Sequence, residues 1–338
     1  MNFDPTTLHK KQAAEIQPKY RYTGDSPFPW YQERCRDRLS ARLGMDTFRR
    51  CDPVFKITED KRENGHRHIH FTLQTEEGYF THCDILLPEK QTGPLPLCVC
   101  LQGHSTGAHI SLGIAKYPGD EETIRGGDRD FAVRAVKEGF GALAIEQRGF
   151  GQCGGTEKGP ACERPSMTAL LLGRCTIAER IWDTSRVLDA VEAHFSDILT
   201  LDGSVCMGNS GGGTATYYIA CLEDRFAGYM PSCAVCTYRD SIIDLHHCVC
   251  NYVPGILRDF DMGDLAAMIA PRKLVVVCGK DDPIFPLAGV KETYGIIENC
   301  YRAAGVPDDC GCALVIGEGG HRFYADDAWP VMKKLLAK

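Results

Sequence analysis

The sequence predicts an α/β fold with a mostly parallel central sheet, and three observations carry that prediction. From Leu97 onward, short apolar runs alternate with helix-length segments, the signature of strands joined by crossover helices. Gly208-Asn209-Ser210-Gly211-Gly212 joins one such run, Ser204–Met207, to a helix-like stretch from Thr214 to Leu222. A strand, a tight Gly-x-Ser-x-Gly turn and a helix in succession form a nucleophile elbow. The third observation is composition: 338 residues, 43% apolar and 25% charged, which suit one globular core.

The elements follow in chain order. Residues 1–50 read as a polar, N-terminal helical arm. Pro27 and Pro29 precede an amphipathic helix from Tyr31 to Leu43, and Gly44 is its stop. Residues 51–338 form the main domain. It opens with strand-like runs at Val54–Glu59, His66–Gln74 and Tyr79–Leu87, predicting antiparallel strands at the N-terminal edge. In the second run His66, His68 and His70 alternate with Arg67, Ile69 and Phe71, which reads as a solvated face carrying the histidines.

Buried strands are then expected at Leu97–Leu101, Gly141–Ile145, Ser204–Met207, Lys273–Cys278 and Ala313–Ile316. Between them fall helices at Asp128–Glu138, Ile177–His194, Gly212–Leu222, Ala288–Ala304 and Ala325–Leu336. Residues 109–127 hold Gly113, Pro118, Gly119, Gly126 and Gly127 and read as loop. Residues 234–270 are irregular and form the expected cap or lid.

Net charge is −7 with no basic block, which argues against nucleic acid as a partner. No apolar run approaches the ~18 residues of a membrane span, and the first 20 residues show no apolar leader core. Eighteen cysteines, several inside predicted core strands, favour a reducing, cytoplasmic setting over a disulfide scaffold. Cys233-x-x-Cys236 and His246-His247-Cys248-x-Cys250 together suggest a zinc site, but their spacing fits no standard finger or ribbon. They are read as cysteines packed in the cap, with no metal and no cofactor expected.

A serine nucleophile needs a histidine base and a carboxylate to hold that histidine. The chain order expected after Ser210 is acid, then histidine. His321 fits the base, in Gly319-Gly320-His321 after the last strand. Asp281 and Asp282 both fit the acid after Lys273–Cys278, with Glu318 a distant third. A competing Gly103-His104-Ser105-Thr106-Gly107 follows the first core strand but leads into loop, so Ser105 is the weaker nucleophile. Its place suits an oxyanion loop, with the His104 and Gly211 backbone N–H groups as donors.

These motifs give the chain its resemblance. It resembles an α/β-hydrolase of the acetyl xylan esterase and dienelactone hydrolase-like branch, over about residues 95–325. Leu101-Gln102-Gly103-His104, Glu146-Gln147-Arg148-Gly149-Phe150-Gly151, the Ser210 elbow and Gly320-His321 carry it. The resemblance implies Asp282 as the acid, with Pro286 in the proline position four residues on. It also implies that Arg148 braces the loops around the site. Gln102 and Phe150 depart from the family's usual histidine and glutamine. The expected function is a serine hydrolase cleaving small-molecule carboxylic esters, acetyl first among acyl groups. An amidase or peptidase of this fold, and a silent receptor or scaffold, are the alternatives. The arm is a candidate contact for a homo-oligomer.

Overall fold

The computed structural model describes residues 3–338. The arm supplies α1 (Pro5–Glu15) and α2 (Phe28–Leu43). Three strands follow, β1 (Phe55–Glu63), β2 (His66–Glu76) and β3 (Tyr79–Pro88). The next stretch runs β4 (Leu95–Leu101), α3 (Asp120–Gly127), α4 (Phe131–Lys137) and β5 (Gly141–Ile145). Then come α5 (Glu163–Leu171), α6 (Thr176–His194), β6 (Leu199–Asn209), α7 (Gly211–Leu222) and β7 (Gly228–Ser232). The chain ends with α8 (Ile256–Asp259), β8 (Lys273–Gly279), α9 (Leu287–Ala303), β9 (Cys312–Gly317) and α10 (Ala325–Leu336).

The strands form one nine-stranded sheet in the order β1-β2-β3-β5-β4-β6-β7-β8-β9. The pairs β1–β2, β2–β3 and β3–β5 are antiparallel, and every pair from β5–β4 to β8–β9 is parallel. The side chains of each core strand alternate between two helical layers. Leu97, Val99 and Leu101 of β4 pack with α6, α7, α9 and α2, while Cys98 and Cys100 pack with α4 and α10. After β4 the chain goes to one side for β5 and returns on the other for β6. That makes β4–β6 a topological switch point, where open α/β sheets bind ligands beyond their strand ends.

Several boundaries differ from expectation for identifiable reasons. Strand β7 is absent from the sequence reading because Pro231 interrupts it. It is nevertheless buried throughout, and its pairing with β8 skips Met230 and Pro231, so the missing proline N–H removes no ladder bond there. Residues 109–127 were expected to be loop, yet Asp120–Gly127 is helical, with Asp120, Glu121 and Glu122 complementing the dipole of its first turn. Helix α2 begins three residues earlier than expected because proline is tolerated in a first turn. Gly44 does end it, in the left-handed region at φ 73°.

The arm lies against its own chain. Gln32 Nε2 donates to Ala267 O at 2.7 Å, Arg21 pairs with Asp264 at 3.0 Å, and Arg38 pairs with Asp259 at 2.7 Å. Among the described residues, no helix is long and apolar enough to cross a membrane.

Candidate active site

Ser210 stands between β6 and α7 with φ 56° and ψ −123°, a conformation that costs a non-glycine residue about 1–3 kcal/mol. The turn is held by Ser210 N–H donating to Ser232 O and Thr214 N–H donating to Ser210 O, both at 2.8 Å. It is also crowded. A Cβ on Gly208 would meet Gly212 O at 2.5 Å, and one on Gly212 would meet Gln102 O at 2.6 Å. Only glycine permits that approach of the elbow to the end of β4. The first N–H groups of α7, beginning with Gly211, have no partner inside the helix and point toward the serine end.

Asp282 and His321 meet beyond β8 and β9. The two loops are joined by Lys280 N–H to Gly317 O at 2.9 Å and Asp281 N–H to Gly319 O at 2.8 Å. Asp282 Oδ1 accepts from the N–H groups of Ile284 (2.8 Å) and Phe285 (3.2 Å). This leaves Oδ2 to face His321 Nδ1 at 2.9 Å. Burial pushes the Asp282 carboxyl up, but the His321 bond and charge and the two backbone donors hold it below its ordinary value. An ionised carboxylate only accepts, so His321 carries its proton on Nδ1 and leaves Nε2 free. Asp281 is exposed and takes no part in this pair.

Ser210 and Gly211 face a cavity of about 480 Å³ whose walls include His104, Thr214, His246, His247, Cys248, Asn251 and Phe285. Phe285 lies nearly parallel to the His321 ring, with centroids 6.0 Å apart. Among the described residues, no hydrogen bond joins Ser210 to His321. His247 is held down to about 4, by burial first and then by the His104, His321 and His246 charges, so it is neutral. Ser105 Oγ is buried in the loop after β4 and lies outside this cavity's walls.

His104 belongs to the wall by its ring. A Cβ on Gly211 would come within 2.9 Å of His104 Nδ1, so the imidazole covers the start of α7. Arg148 does not reach the cavity. Its guanidinium bonds both carboxylate oxygens of Asp183 at 2.8 Å and Glu76 Oε2 at 2.8 Å, and it lies 3.2 Å from Glu179 and 4.0 Å above the Tyr79 ring. It therefore ties the β2–β3 turn to α6.

Two sequence readings need correction. His68 and His70 are not a solvated face: His68 is buried, and both rings bond Asp84 Oδ1, at 2.7 and 2.8 Å. With Glu146 they line a separate cavity of about 610 Å³ that excludes Ser210. The Cys/His segment also divides differently. Cys233 sits beside Asp282 and His321 and donates to Arg322 O at 3.2 Å, and Cys236 faces Pro286 O. Cys248 and Cys250 instead join His104 and Cys162, whose ligand atoms all lie within 4.8 Å of one another. No local pattern in the sequence links Cys162 to Cys248, which lies 86 positions further along the chain (248 − 162).

No protein-family model matches the chain. It is 27% identical over 250 residues to the Bacillus subtilis protein named "Putative hydrolase YtaP", covering 70% of this chain and 76% of that one. A "putative acetyl xylan esterase" from Bacteroides fragilis superposes with TM-score 0.75 at 17% identity, covering 94% of this chain and 83% of that one. A glucuronoyl esterase from Solibacter usitatus superposes with TM-score 0.68 at 14% identity, covering 96% and 98%. The chain has the α/β-hydrolase fold.

Proposed function

We propose that this chain hydrolyses carboxylic esters through an acyl-enzyme formed on Ser210. The observation that carries the reading is the strained Ser210 elbow, set at the switch point of the sheet with the Asp282–His321 pair on the loops after β8 and β9. Nothing in packing rewards a serine for holding φ 56° at a helix start. An exposed nucleophile beside unpaired N–H groups does.

In this mechanism Ser210 Oγ attacks the ester carbonyl while His321 Nε2 takes its proton, the two closing to hydrogen-bond reach as substrate enters. Asp282 fixes the Nδ1–H tautomer and stabilises the imidazolium. The Gly211 backbone N–H is one oxyanion donor and the His104 backbone N–H is the other. His321 then gives its proton to the leaving alkoxide, and water repeats the sequence on the acyl-enzyme. Arg148 acts as a brace and not as a proton carrier.

The similarity to proteins named as esterases supports an ester over an amide, and acetyl is the first acyl group to test. The test is hydrolysis of p-nitrophenyl acetate and butyrate by wild type, Ser210→Ala and Ser105→Ala. Loss of at least about 10³-fold in kcat is expected for Ser210→Ala alone. Loss confined to Ser105→Ala would move the nucleophile to the loop after β4. No turnover, with no covalent labelling of Ser210 by a fluorophosphonate, would reject the enzyme reading.

A further inference from the structure

We infer that His104, Cys162, Cys248 and Cys250 form a structural site for a thiophilic divalent cation of the zinc class, immediately behind the Ser210 cavity. The four ligand atoms come from three distant segments: the loop after β4, the residue preceding α5, and a turn in 234–270. They lie within 4.8 Å of one another, and Cys250 Sγ is 3.3 Å from His104 Nε2. A tetrahedral zinc ion with Zn–S of about 2.3 Å and Zn–N of about 2.0 Å sets its ligands about 3.5–3.8 Å apart. Small rotations of partly exposed Cys248 and His104 close that difference. All 18 cysteines are free thiols, so no disulfide engages these three.

A second, independent observation points to the same place. Arg180 is 2% exposed, none of its three guanidinium nitrogens meets a carboxylate or carbonyl oxygen, and the groups that act on its charge are the Cys250, Cys162 and Cys248 sulfurs. Its guanidinium lies 4.7 Å over the Phe150 ring, and Phe150 packs with Cys162, Cys250 and Cys248 in one small apolar cluster. A buried cation with no carboxylate counter-ion is costly. Three thiolates, a neutral imidazole and a divalent ion carry one net negative charge, which Arg180 neutralises. An apolar wall and a compensating charge are what a thiolate-rich centre requires of its surroundings.

Four protein ligands leave no open position, so the ion would be structural and not a Lewis acid for substrate. Its effect on the site passes through His104. A ring bound at Nε2 keeps its proton on Nδ1, the nitrogen that faces Gly211. The ion would also fasten the turn carrying Cys248, a wall of the cavity, to the loop after β4.

The test is metal content by mass spectrometry on untagged protein isolated without chelator, and needs no knowledge of the substrate. About one equivalent per chain is expected. Cys162→Ser and Cys250→Ser should fall severalfold, while Cys310→Ser, outside the cluster, should match wild type. Cobalt(II) added to reduced, chelator-treated protein should give the thiolate charge-transfer and strong d–d bands of a tetrahedral sulfur-rich site, lost in Cys162→Ser. Should the serine variants fail to fold, wild type decides alone. The inference is overturned if reduced wild type neither carries nor takes up zinc or cobalt. Cobalt bands that persist in a folded Cys162→Ser would overturn it equally. Metal binding with neither esterase turnover nor fluorophosphonate labelling of Ser210 would leave the inference standing and reject the proposed reaction.

Discussion

Asp282 Oδ2 faces His321 Nδ1 at 2.9 Å across two loops that are themselves joined by backbone hydrogen bonds. The adjacent Asp281 points to solvent. Asp282→Asn should lower kcat by about 10⁴-fold, because an amide facing Nδ1 favours the wrong imidazole tautomer. Asp281→Asn should stay within about twofold of wild type. The check is steady-state kinetics on p-nitrophenyl acetate, and equal losses in the two variants would contradict the assignment.

Gly212 has no room for a methyl group beside Gln102 O. Gly212→Ala should destabilise the fold by about 1–3 kcal/mol, as overpacking does elsewhere. Activity should fall further than stability explains, because the shift moves Ser210 against the loop after β4. Urea unfolding alongside kcat at a temperature where the variant is fully folded separates the two effects.

Removing Arg148 leaves Asp183, Glu179 and Glu76 with one fewer buried cation among them. Arg148→Met should cost about 3–5 kcal/mol. Arg148→Lys should recover part of this, since an ammonium cannot reproduce the forked contact to Asp183. Denaturant midpoints at constant slope would show it. A neutral Arg148→Met would remove the bracing role.

Burial pushes the Glu146 carboxyl up to about 7 from an ordinary 4.5, against the opposing N–H bonds from Ala108 and Gln152. The folded chain thus holds a proton that the unfolded chain releases near 4.5. Stability from this group is complete below that value and declines as pH rises, ending near pH 7 with up to about 3 kcal/mol lost. Glu146→Gln has no proton to lose. The stability difference between variant and wild type should therefore shift in the variant's favour between about pH 5 and about pH 8. A difference that stays constant over that range would contradict the buried, proton-holding carboxyl.

Local patterns in the sequence determined the parallel core, the antiparallel edge, the Ser210 elbow and the late histidine. Strand periodicity, glycine placement and chain order are written within a few residues of where they act. Strand β7 escaped because Gly228, Pro231 and Ser232 leave it no continuous apolar run. The residues alone left Asp281 and Asp282 open and only the resemblance implied Asp282; in the structure, backbone bonds from Ile284 and Phe285 turn the Asp282 carboxylate inward. The partnership of His104 and Cys162 with Cys248 and Cys250 was likewise decided by tertiary structure. The crossovers of the sheet bring three remote segments to one end of β4 and β6, and sequence spacing carries no record of that meeting.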